Sequence, residues 1–153
     1  MPEQLPTSSI ISMSYIVRCL ILSASKGLPL LLKYSILSFN SNFIGFKNAI
    51  KSLSLSGTYN ILITPGLVEQ DAVLNEYYKE LSIMIKSAVD EVYLINNKSI
   101  KLLLKYFDDI KFKKYIVVES FKDAINLINK KNIDIFYTIL IENDLTDYYL
   151  NRG

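Results

Sequence analysis

Five short apolar runs alternate with segments of helical periodicity, and this alternation restricts the chain to very few architectures. The runs are Tyr34–Phe39, Asn60–Thr64, Glu91–Ile95, Tyr115–Glu119 and Asp134–Ile141. Each has the length of a strand and lacks the strict in–out alternation of a half-solvated sheet, as expected for strands covered on both faces. Between the first two, Phe43 to Leu53 has the pattern of a short amphipathic helix. Ser56-Gly57-Thr58-Tyr59-Asn60 is a turn cluster, and Pro65-Gly66 closes the second strand. Strand, helix, strand, helix with short connections predicts an α/β fold, a parallel sheet with helices on both faces.

The later helices carry clearer signals. Leu74, Tyr77, Tyr78, Leu81, Met84, Ile85 and Ala88 recur at three- and four-residue spacing, so one apolar face is expected over Asp71–Val89. Glu69 and Asp71 stand near its start, where negative charge suits the helix dipole. Ser99 is expected to cap a helix burying Ile100, Leu103, Leu104 and Phe107. Ser120 is expected to cap another, burying Phe121, Ala124, Ile125 and Ile128 and ending near Asn132. The order is Rossmann-like, yet the chain contains neither GxGxxG nor GxxxxGK[ST]. A self-sufficient dinucleotide site and a P-loop are therefore not expected.

With 153 residues, half of them hydrophobic, the chain is long enough for one well-filled core. The domain is expected over residues 34–149, with an apolar extension or linker at 1–33 and a tail at 150–153. Within the extension, Ile10–Leu22 is interrupted by Ser12, Ser14 and Arg18 and is too short to span a membrane, which needs roughly 20 apolar residues. No transmembrane segment is expected. Glu3 stands where a secretory signal would carry positive charge, although Ser23-Ala24-Ser25 has the small residues of a cleavage site. The extension thus reads as a linker or packed edge strand, with docking on a partner chain, secretion or anchoring as alternatives. A cytoplasmic location, or an organelle of bacterial descent, is expected.

Composition excludes several chemistries. The one cysteine, Cys19, and the absence of histidine rule out an internal disulfide, a Cys/His zinc site and Ser–His–Asp or Cys–His catalysis. No metal site and no catalytic residue are assigned. Any proton transfer would fall to Asp, Glu, Lys or Tyr. A net charge of +2 offers no general affinity for nucleic acid. Lys111-Phe-Lys-Lys-Tyr115 mixes base and ring as a nucleic-acid surface does, but reads first as a helix-to-strand loop with solvated lysines.

Ligands of open parallel sheets bind beyond the carboxyl ends of the strands. Three polar clusters fall there: Asn40-Ser41-Asn42, Thr64-Pro65-Gly66 with Glu69, and Glu142-Asn143-Asp144. Each also has a local reading, as a helix cap, a turn and a solvated loop respectively.

The same clusters carry a family resemblance. Ser38-Phe39-Asn40-Ser41-Asn42, followed by Gly45-Phe46-Lys47-Asn48-Ala49, resembles the Asn-x-Asn segment that opens the C-terminal domain of Mur ligases. The branch is the one that adds D-alanyl-D-alanine. Ile61-Leu-Ile-Thr-Pro-Gly-Leu-Val-Glu69 is similar to that branch's Thr-Pro-Gly-Met-Val-Glu stretch, and Leu74-Asn75-Glu76 to the helix after it. Leu140-Ile-Glu-Asn-Asp-Leu-Thr-Asp-Tyr-Tyr149 is similar to its closing Glu-Asn-Asp-Leu-Pro motif. The likeness runs over about residues 36–149, in the family's order.

The resemblance implies peptidoglycan-precursor ligation, in which ATP activates a carboxylate as an acyl phosphate and an amine attacks it. Asn40 and Asn42 would then contact the nucleotide. Thr64, Gly66, Glu69, Glu142, Asn143 and Asp144 would lie toward the incoming dipeptide. There are departures: Leu37 stands for the acid before the Asn-x-Asn motif, Phe43 for the proline after it, and Thr146 for the proline near the end. The stretch from Glu69 to Asn75 is also shortened. The ATPase domain, with its P-loop and magnesium ligands, is not encoded in these residues. ATP is thus expected only with a partner that supplies that domain, and no cofactor for the chain alone. Two other roles remain open: a non-catalytic remnant acting as a structural or interaction subunit of a larger assembly, and an independent small-molecule binding domain.

Overall fold

A computed structural model describes residues 34–39, 42–67 and 74–143. Five strands form one sheet: β1 Tyr34–Phe39, β2 Tyr59–Thr64, β3 Glu91–Ile95, β4 Tyr115–Val118 and β5 Tyr137–Glu142. All four pairings are parallel and the spatial order is β1-β5-β2-β3-β4. The helices are α1 Phe43–Ser54, α2 Leu74–Ala88, α3 Ile100–Asp109 and α4 Phe121–Lys130. The expected α/β fold with both faces covered is the observed one.

Chain direction decides which face each helix covers. From β1 through β2 and β3 to β4 the chain moves one way across the sheet, so right-handed crossovers put α1, α2 and α3 on one face. The return from β4 to β5 runs backward, and the same handedness puts α4 on the opposite face. Two cores result. Phe46, Ile50, Leu53, Leu81, Ile85, Leu103 and Phe107 pack on Leu62, Val92, Leu94 and Leu140. Ala124 and Ile128 of α4 pack with Ile61, Ile63, Tyr93, Val118, Ile139 and Ile141. The middle strands β2, β3 and β5 are buried almost end to end, which explains their unbroken apolar runs.

Local signals mostly act as their residue types dictate. Asn42 caps α1 by accepting from the Gly45 amide at 3.0 Å, and Ser120 caps α4 by accepting from Asp123 N at 3.2 Å. Ser99 does not cap α3. Its dihedrals are helical rather than the extended ones a cap needs, and its side chain makes no capping bond; its amide donates to Asn97 Oδ1 at 2.6 Å. Two strand limits differ from expectation. β4 ends at Val118, and β5 begins at Tyr137, leaving Ile135 and Phe136 exposed in the preceding loop. The first turn expected for α2, at Asp71, lies outside the described residues, as do 1–33 and 144–153. In the Lys111–Tyr115 loop the rings turn inward: Phe112 meets Phe107 edge-on at 4.8 Å, while Lys111, Lys113 and Lys114 are solvated.

Beneath the strand N-termini lies a buried polar cluster. Glu91 accepts from Tyr93 Oη at 2.7 Å and from Tyr59 Oη at 3.3 Å, and is ion-paired with Lys131 just beyond α4. Burial and the nearby carboxylate push the Tyr93 and Tyr59 phenols above their ordinary range, and burial does the same to Tyr78. A phenol raised in the folded state holds its proton longer than in the unfolded chain. Stability is therefore full below the ordinary tyrosine value of about 10 and declines as pH rises beyond it. Tyrosinate absorbance followed alongside denaturation is expected to show these phenols ionising together with alkaline unfolding.

Candidate functional site

The strands' carboxyl ends present one continuous rim. After β2 the chain turns through Thr64-Pro65-Gly66, where Gly66 adopts φ +91°. Thr64 Oγ1 accepts from Gly66 N at 3.0 Å, and the Tyr78 hydroxyl of α2 accepts from Leu67 N at 2.8 Å. Asn143 Nδ2 donates to Gly66 O at 2.9 Å from the end of β5. Asn97 Nδ2, just after β3, donates to Pro65 O at 2.7 Å and Ile95 O at 2.9 Å. Side chains from three elements thus hold one tight turn. Asn143 itself sits at φ +59°, a left-handed conformation that Asn tolerates better than most residues.

A second feature arises from topology. The loop after β3 leads to a helix on one face and the loop after β4 to a helix on the other, so the two chains diverge between these strands. Asn96 and Glu119 flank that divergence, with Asn96 Nδ2 donating to Glu119 Oε1 at 3.0 Å.

The residues expected from sequence fall into three groups. Thr64, Gly66 and Asn143 come together in the knitted turn, with Glu142 fully buried beside them. Asn42 is exposed at the start of α1, its side-chain oxygen engaged in the cap and its Nδ2 group left as a donor. Asn40, Glu69 and Asp144 lie outside the described residues. Sequence reasoning missed Tyr78, Asn96, Asn97 and Glu119. Asn96-Asn97 directly follows a strand, so the rule that selected the other clusters would have found it. Tyr78 reads as core from its helical spacing, and only the fold shows its hydroxyl beneath the turn. Among the described residues no group of three acidic or sulfur side chains could hold a metal ion.

Asn97 is the keystone of the β3 side, since its one amide bonds two carbonyls and one N–H. Asn97→Ala is expected to cost about 1–2 kcal/mol in chemical denaturation, the ordinary loss for a partly buried hydrogen-bonded cap.

No protein-family model matches the sequence, and no curated protein matches it. Solved structures do share its fold. A MurF ligase from Thermotoga maritima, crystallised with ADP, superposes with a TM-score of 0.57 at 16% identity over 72% of this chain. MurF from Acinetobacter baumannii gives 0.59 at 12% identity over 78% of it. The fold is that of a Mur ligase domain. A single domain from a Haemophilus ducreyi protein, described as a UDP-N-acetylmuramate:L-alanyl-gamma-D-glutamyl-meso-diaminopimelate ligase, gives 0.50 at 13% identity over 78% of this chain. The match takes in 87% of that domain, but only 25% and 28% of the two MurF chains. This chain therefore spans about a quarter of the length of these two MurF chains.

Proposed function

We infer that this chain acts as a Mur ligase C-terminal domain of the D-alanyl-D-alanine-adding branch, working with a separate ATPase domain. The observation that carries this reading is the knitted Thr64-Pro65-Gly66 turn. Its sequence resembles the branch's motif, it is bonded to the Asn143 of the Glu-Asn-Asp motif, and it stands at the strand ends of a fold shared with MurF. Asn40 and Asn42 would face the nucleotide, with the exposed Asn42 Nδ2 group as one donor. Thr64, Gly66, Glu69, Glu142, Asn143 and Asp144 would shape the incoming-dipeptide side. Carboxylate activation by ATP and magnesium would belong to the partner domain. This chain's part is to close over that domain and orient the amine.

The test is reconstitution. The chain is expected to bind ATP weakly or not at all alone, and to restore dipeptide ligation when mixed with a Mur ligase ATPase domain. Absence of both nucleotide binding and ligation in the mixture would count against this reading. One observation favours a second reading, a structural subunit of a larger assembly. Thr64, Glu142 and Asn143 are fully buried, and Thr64 Oγ1 and Asn143 Nδ2 are engaged in holding the turn itself. Co-purification with a large complex in the absence of nucleotide affinity would support that alternative. No described helix is long and apolar enough to cross a membrane, and the cytoplasm is the proposed location.

A further inference from the structure

β4 is an edge strand among the described residues, and its outward side is chemically self-complementary. Lys114 O accepts from Val92 N at 2.9 Å and Val118 O from Asn96 N at 2.8 Å, so these carbonyls point at β3. By strand alternation the backbone groups of Tyr115 and Val117 point away from the sheet. Two apolar side chains stand open on this four-residue strand, Ile116 at 38% exposure and Val117 at 42%. Charge is divided along it, with Lys113 and Lys114 at its start and Glu119 at its end.

We propose that β4 pairs antiparallel with β4 of a second copy of this chain, joining two sheets about a two-fold axis through Ile116. A two-fold axis normal to a continuous sheet keeps each face on its own side, so facing residues must share strand parity. Centring on Ile116 meets that condition. It sets Ile116 against Ile116 of the second copy, Tyr115 against Val117, and Lys113 against Glu119. The outward N–H and C=O groups of Tyr115 and Val117 then form the hydrogen-bonded pairs. A parallel pairing would bring the lysines side by side, whereas the antiparallel one sets base against acid at both ends. Lys113 now pairs with Asp108 at 2.5 Å, but both are exposed, so exchanging partners costs little. Glu119 uses one oxygen on Asn96 and retains the other. Lysines that flank an edge normally deter foreign strands. Here the same lysines select a partner with an acid at the opposite end.

So short an edge covers less than the roughly 1,200 Å² of a stable interface, and the dimer is expected to be transient and concentration-dependent. Sedimentation of the full chain from micromolar to millimolar concentration tests it, with circular dichroism confirming that each variant folds. Wild type is expected to self-associate, and added salt to weaken the association. Ile116→Lys, which sets two ammonium groups on the axis, is expected to weaken it at least tenfold. Val117→Pro removes an outward N–H while sparing the bonds to β3, and is expected to do the same. Lys113→Glu should impair pairing, and Lys113→Glu combined with Glu119→Lys should restore it. A chain that stays monomeric throughout would overturn the proposal. So would a dimer indifferent to Ile116→Lys and Val117→Pro, or a charge reversal that restores nothing.

Discussion

Gly66→Ala is expected to destabilise the domain by about 2–5 kcal/mol, a large share of the 5–15 kcal/mol typical of a folded domain. Two costs add. The backbone at Gly66 has φ +91°, in the left-handed half of conformational space, where a side chain costs about 1–2 kcal/mol. An added Cβ would also lie 2.7 Å from the Tyr78 hydroxyl and 3.4 Å from Ser99 Cβ. Tyr78 is buried and its oxygen holds Leu67 N, so it cannot move aside without breaking that bond, and overpacking of this kind costs about 1–3 kcal/mol. Gly57 serves as the internal control. It too has positive φ, at +67°, but nothing lies within 4 Å of a Cβ there. Gly57→Ala should show only the backbone cost, about 1–2 kcal/mol. Urea denaturation of both variants measures the difference. Equal losses would mean that the turn is looser than its hydrogen bonds imply. Because Gly66 O also receives Asn143, the same substitution should loosen the end of β5 and, under the proposed function, the dipeptide side of the rim.

Lys131→Met is expected to cost about 2–3 kcal/mol, and the opposite rim of the sheet provides the reason. Glu91 is only 8% exposed in its side chain, so removing its cation leaves a carboxylate in the core with two phenol donors for compensation. Breaking a fully buried pair costs about 3–5 kcal/mol. Lys131 is 42% exposed, so solvent already screens part of the interaction and the lower figure applies. The double variant Glu91→Gln, Lys131→Met should recover most of the loss, since no charge is then left unpaired. Guanidinium denaturation of both variants checks these expectations. A double variant no more stable than Lys131→Met alone would contradict the assigned role of Lys131.

The sequence showed clearly where periodicity and residue chemistry act locally. The five strands and four helices of the described residues fall on the segments that apolar spacing marked, although β4 ends at Val118 and β5 begins only at Tyr137. Asn42 and Ser120 cap because their oxygens reach the amides three residues on. Residue type alone did not fix the outcome everywhere. Ser99 has the right residue type for a cap, but its helical dihedrals leave its side chain without a capping bond. The Thr-Pro-Gly turn was visible as a motif and as a rim position. That Asn97 and Asn143 would clasp it from either side was not, because they lie 32 and 77 residues away along the chain.

What the sequence determined by itself is the α/β class, the rim on which polar clusters gather, and a resemblance to Mur ligases read from those clusters. These depend on spacing within each segment, which the chain carries wherever it is placed. Only the tertiary structure decided the strand order, the placing of α4 on the face opposite the other described helices, the divergence between β3 and β4, and the clasp around Gly66. Each depends on which distant segments become neighbours. A short-range pattern holds no record of that until the handed crossovers have placed one strand beside another.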